Sequence, residues 1–165
     1  MIRPVHTIGA VTALCAAILS ANWYFSDHDY PEARSYIVSE DPEGDVDAAL
    51  ARAAENDKRV LLVMGANWCH DSRALAGWLG TQRFSELIED RYELVYVNVG
   101  KPQEGDGHNI DIARRFGVAD LPGTPNVLVL THKGELVNAD TVTTWRNAAS
   151  RSENEIFDEL AKLAG

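Results

Sequence analysis

Sulfur and positive charge are both scarce in this chain. Its 165 residues include 2 cysteines, Cys15 and Cys69, and 15 Lys and Arg stand against 25 Asp and Glu, for a formal net charge of −10. So acidic a balance excludes the basic patch that a nucleic-acid partner asks for. No Cys-x-x-Cys or His-x-x-x-His spacing occurs, and Cys69, His70 and a remote His108 make a poor ligand set, so no metal is expected. No histidine stands out as the partner of a hydrolytic cysteine. Internal repeats and low-complexity tracts are absent too. What remains is the composition of a soluble globular protein, with 24% charged and 45% hydrophobic residues. The length suits one well-buried core and is short for two domains.

The first residues differ from the rest. Arg3 precedes an uncharged, mostly apolar run from Ile8 to Leu19, and the small residues Ser20 and Ala21 follow. This is the pattern of a secretory signal peptide over residues 1–21, cleaved after Ala21. Leu19 stands where the cleavage rule asks for a small residue, so an uncleaved signal anchor over residues 8–25 is the alternative. Leu14 before Cys15 is a poor match to a lipoprotein site. The expected location is periplasmic or otherwise exported, with a membrane tether as second choice. If the leader is removed, Cys69 is the sole thiol. The protein then has no structural disulfide, and its free cysteine needs an explanation.

That cysteine ends the most informative stretch of the chain. Val60-Leu61-Leu62-Val63-Met64 reads as a buried parallel strand. It breaks at Gly65-Ala66-Asn67, and a helical pattern begins near Ser72. Cys69 therefore falls between the end of a strand and the start of a helix, where free N–H groups and the helix dipole favour an anion and hence the thiolate. The bland alternative is a small buried hydrophobe.

Trp68-Cys69-x-x-Ser72 after such a strand, with Gly123-Thr124-Pro125 running into the strand Asn126–Leu130, resembles the thioredoxin superfamily. The superfamily motif is Trp-Cys-x-x-Cys, so Ser72 replaces the second cysteine. The resemblance implies an α/β thioredoxin fold over residues 45–165, a mixed central sheet flanked by helices on both faces, with Pro125 as a cis-proline facing Cys69. It implies thiol–disulfide exchange, with Cys69, Ser72 and Pro125 as the catalytic set and Trp68, His70 and Thr124 around them. Ser72 is expected to donate a hydrogen bond to the Cys69 thiolate but cannot resolve a mixed disulfide. Resolution falls to glutathione or another external thiol; no bound cofactor is expected. The partners implied are cysteine-containing client proteins or low-molecular-weight thiols. His70, if protonated, favours the thiolate, whereas Asp71 opposes it and reads as an exposed helix-start residue. Val63 stands where classical thioredoxins carry a buried carboxylate, which counts against a general reductase. A binding module that keeps the fold without catalysis is the alternative.

Elsewhere, residues 22–44 read as an extension with aromatic anchors, including Tyr30 and Tyr36, and with Pro31 and Pro42 opposing long regular structure. It is read as a loosely packed linker or as a membrane-interface segment. Asp45 is the expected cap of the first helix. A helix interrupted near Gly77 and Gly80 runs to about Asp90, and Tyr92–Val99 is a second strand. Asn109 opens a short helix closed by Gly117, and 126–131 pairs with 135–137 in a hairpin. Ser152-x-x-Glu155 is a capping box for the last helix. The long insert 138–151 carries Trp145 and Arg146, which are either a partner- or substrate-binding surface or, for Trp145, a plug at the core edge.

Overall fold

The computed structural model describes residues 30–165. The leader over 1–21, the membrane tether over 8–25 and Cys15 lie outside the described residues. Helices and strands follow in this order. They are helix α1 (Pro42–Asn56), strand β1 (Arg59–Gly65), helices α2 (His70–Leu79) and α3 (Gln82–Arg91), strand β2 (Tyr92–Asn98), the short strands β3 (Gly100–Lys101) and β4 (Asp106–Gly107), helix α4 (Ile110–Arg115), strand β5 (Asn126–Leu130), a 3₁₀ segment (Thr144–Ser150) and helix α5 (Glu153–Leu163).

The main sheet has the order β2-β1-β5, with β1 parallel to β2 and antiparallel to β5. The central strand is buried on both faces, which is why it reads as an unbroken apolar run. Successive side chains alternate between the faces. Val60, Leu62 and Met64 pack with Leu128 and Leu130 against α1 and α4 residues such as Val46, Ala49 and Ile112. Leu61 and Val63 pack with Val127 and Val129 against Leu75, Leu79, Phe84, Ile156 and Leu160 on the other face. The register Leu61↔Val129, Val63↔Val127 keeps like faces together.

Several local expectations change. The first helix starts at Pro42 and not at Asp45: Asp41 is its N-cap, accepting from the Gly44 N–H at 2.9 Å, and Pro42 occupies the first turn, where its missing N–H costs nothing. The interrupted helix is two helices. Gly80 ends α2, and Thr81 precedes α3. Gly77 stays inside α2, because a Cβ there would overlap the Pro31 carbonyl. The second hairpin strand is reduced to a single bridge, Leu130↔Leu136, closed by Gly134 at φ 81°. The capping box of α5 forms as read, with Ser152 accepting from the Glu155 N–H and Glu155 accepting from the Ser152 N–H.

Candidate functional site

Cys69 is the N-cap of α2, with extended backbone (φ −82°, ψ 125°), and lies at the C-terminal end of β1. Its N–H donates to the Ala66 carbonyl at 3.1 Å, and its own carbonyl accepts from the Arg73 N–H at 3.1 Å. Cys69 is 7% exposed, and its thiol donates to the Thr124 carbonyl at 3.3 Å. The Thr124–Pro125 peptide bond is cis, and both residues are buried at the head of β5. Sequence-distant Cys69 and Gly123-Thr124-Pro125 are thus one site. Cys69 is the free cysteine among the described residues.

Ser72 does not do what was expected of it. Its side chain is fully buried and its Oγ accepts from the Ala66 N–H at 3.4 Å, while its carbonyl accepts from the Tyr36 hydroxyl at 3.3 Å. Among the described residues the Cys69 thiol is bonded to Thr124 and not to Ser72. The reason is rotational: Ser72 turns inward, against Gly65 and the Tyr36 ring. Asp71 also departs from its reading as an exposed helix-start residue. It is 8% exposed, and its Oδ1 accepts from the Ala149 N–H at 2.8 Å. Its Oδ2 lies 3.2 Å from Nε2 of His70, which itself is exposed.

Trp68 is 46% exposed, with its indole N–H donating to the Gly100 carbonyl at 2.9 Å. The Lys101 ammonium lies 5.6 Å from the ring centroid, within cation–π range. Trp145 is a correction: at 0% exposure it is core, packed in the cluster with Leu75 and Ile156, and cannot present a binding surface. Its neighbour Arg146 is exposed and lies across Gly123, where a Cβ would come 3.1 Å from Arg146 Cδ. The insert therefore reaches the site through Arg146, with Trp145 as its bolt and the Asp71–Ala149 bond as a second tie to α2.

The frame that holds the Trp68-Cys69 loop was missed by sequence reasoning. Asn67 brackets the backbone of residue 36, accepting from the Tyr36 N–H at 3.2 Å and donating to its carbonyl at 3.0 Å. Asn98 donates to the same carbonyl at 3.2 Å. Arg73 donates to the carbonyls of Asn67 and Trp68 and pairs with Glu32. Tyr36 is 1% exposed, and burial, first of all, holds its phenol well above the usual tyrosine range. Only the aromatic character of Tyr36 was a usable signal. Among the described residues no three His, Cys, Asp or Glu side chains gather as they would around a metal ion.

Residues 41–131 match the thioredoxin-like family. A crystal structure of a disulphide isomerase from Xylella fastidiosa Temecula1 is similar over 81% of this chain and 100% of that chain, with 32% sequence identity and a TM-score of 0.70. Comparison with curated proteins gives no significant match.

Proposed function

The chain belongs to the thioredoxin-like family, and from that premise we propose that it carries out thiol–disulfide exchange with Cys69 as its single nucleophile. The observation that carries this reading is the meeting of Cys69, at the N-cap of α2, with the Thr124 carbonyl, which sets one thiol between a helix start and the Pro125 loop. In the exchange the Cys69 thiolate attacks one sulfur of a disulfide. A Cys69–substrate disulfide forms, the substrate disulfide breaks, and the second sulfur leaves as a thiolate. Cys69 is oxidised and the departing sulfur reduced, so no further oxidant is needed. Ser72 has no sulfur to resolve the adduct, and a client cysteine or a small thiol such as glutathione closes the cycle. That favours isomerisation or deglutathionylation over dithiol reduction. The 32% identity to a disulphide isomerase supports the same choice. Export to the periplasm, or a tether through residues 8–25, completes the proposal and rests on the apolar run Ile8–Leu19.

The test uses the full chain carrying Cys15→Ser, so that Cys69 is its sole thiol. The folded protein should form a mixed disulfide with a cysteine-containing client, and Cys69→Ser should abolish it. Ser72→Cys should convert the adduct into an internal disulfide and raise dithiol reductase activity. Activity that survives Cys69→Ser sinks the reading. A second reading, a docking module without catalysis, is favoured by the 7% exposure of Cys69 and by apolar Val63, itself fully buried. It predicts a thiol that reacts only once the protein unfolds.

A further inference from the structure

Three basic side chains and a histidine lie around the Cys69 loop, and all but Arg146 are already matched to a carboxylate. His70 meets Asp71 at 3.2 Å, Arg73 meets Glu32 at 3.2 Å, and Lys101 meets Glu104 at 3.0 Å. Arg146 has no such partner among the described residues; its Nε donates to the Thr143 carbonyl at 3.0 Å, which leaves the outer edge of the guanidinium open. The net charge of the chain is −10, with acidic side chains outnumbering basic ones 25 to 15, so an arginine without a carboxylate partner beside the Cys69 loop is a local source of positive charge.

Its position is fixed from behind. Trp145 on one side is fully buried, Ala148 on the other is buried too, and the Ala149 N–H is held by Asp71 of α2. Glycine at 123 lets the Arg146 stem lie on the backbone immediately before Thr124. Thr124 supplies the carbonyl that meets the Cys69 thiol, and it is 6% exposed with an Oγ1 that has no hydrogen-bond partner among the described residues. A planar cation with open donors, its stem lying on the backbone one residue before the thiol's own acceptor, is suited to a carboxylate.

We infer that Arg146 is a specificity-determining residue of this site and selects disulfides that carry a carboxylate close to the sulfur that Cys69 attacks. The inference rests on the exchange reading above. It adds a substrate class: anionic disulfides, whether of a small thiol or of a client with an acidic residue beside its cysteine. The guanidinium opposes the repulsion that the acidic chain would exert on such a substrate and holds it over the Thr124 loop.

The experiment measures mixed-disulfide formation by the folded full chain with Cys15→Ser. The substrates are glutathione disulfide, an oxidised cysteine peptide with flanking Asp, the same peptide with flanking Ser, and uncharged 2-hydroxyethyl disulfide as reference. The quantity read is the rate with each acidic substrate divided by the rate with the reference. Arg146→Ala should lower that ratio about tenfold, the size expected from losing a charge-assisted contact, Arg146→Lys should recover part of it, and Arg146→Glu should lower it further. A fall confined to glutathione disulfide assigns the site to small anionic thiols, and a fall confined to the Asp peptide assigns it to acidic clients. Unchanged ratios overturn the inference, as does a loss that strikes the reference equally, while the exchange reading stands. A wild-type thiol that reacts with none of the four overturns both.

Discussion

Replacing Asp71 tests whether the insert is truly bolted to helix α2. Two contributions are separable at this side chain. Its Oδ1 satisfies the Ala149 N–H at 2.8 Å, in a place where the residue is only 8% exposed. It also puts a negative charge in the first turn of α2. Asp71→Ala removes both. It leaves the half-buried Ala149 N–H without its acceptor, at about 1 kcal/mol, the low end for a lost hydrogen bond, and forfeits roughly 0.5 kcal/mol of helix-dipole interaction. Asp71→Asn keeps an oxygen for Ala149 and loses only the second contribution. The pair with His70 adds little to either, because that imidazole is 65% exposed. Urea unfolding should therefore place Asp71→Ala about 1.5 kcal/mol below wild type and Asp71→Asn within about 1 kcal/mol of it, with the denaturant slope unchanged. Equal losses in the two variants, or an alanine variant as stable as wild type, would refute the reasoning.

Gly77→Ala inside α2 should destabilise, although alanine gains up to about 1 kcal/mol over glycine on helix propensity alone. The new methyl meets the Pro31 backbone, which cannot rotate away as a side chain would. Limited proteolysis should then open residues 30–37, and a raised melting temperature would contradict this. Stability should also fall steeply above pH 10. Burial is the first cause that raises the phenols of Tyr36, Tyr92 and Tyr96, the last from 10.0 to about 12. A folded pKa above the unfolded one means that the stabilisation is complete below about pH 10 and is lost as the pH rises, because the unfolded chain releases these protons first. Three such groups cost roughly 4 kcal/mol at pH 11. Urea midpoints between pH 8 and 11.5 measure the slope, and Tyr36→Phe should remove about a third of it. Phenol absorbance showing all three ionised at pH 10 in the folded protein would sink the prediction.

The sheet and the position of Cys69 were legible because both rest on local patterns. A doubly buried strand has to be apolar throughout, and Val60–Met64 is. A cysteine between such a strand and a helix has to fall at the helix start, as Cys69 does. The capping box at Ser152 is equally local. What escaped was set by partners distant in sequence. Asp71 looks like any acidic first-turn residue until Ala149 is brought to it from 78 positions away. Trp145 was open to two readings, and its burial against Leu75 and Ile156 decides between them. Residues 100–107 form a small hairpin that no sequence pattern announces, since strands of two residues leave no periodicity to read.

Tyr36 shows how the segment before α1 enters the chemistry. Its ring lies against Gly65, which a Cβ would block at 2.6 Å, and its backbone is gripped by Asn67 and Asn98. Arg73 then ties the carbonyls of residues 67 and 68 to Glu32. The Trp68-Cys69 turn is in this way clamped between the end of β1 and a stretch of chain that supplies no reacting group. With the backbone of this turn clamped, a disulfide has to come to a cysteine that is 7% exposed. Contacts at the rim then decide which disulfides can do so. Trp68, His70 and Arg146 are exposed side chains there, and of these Arg146 brings a guanidinium with no carboxylate partner among the described residues.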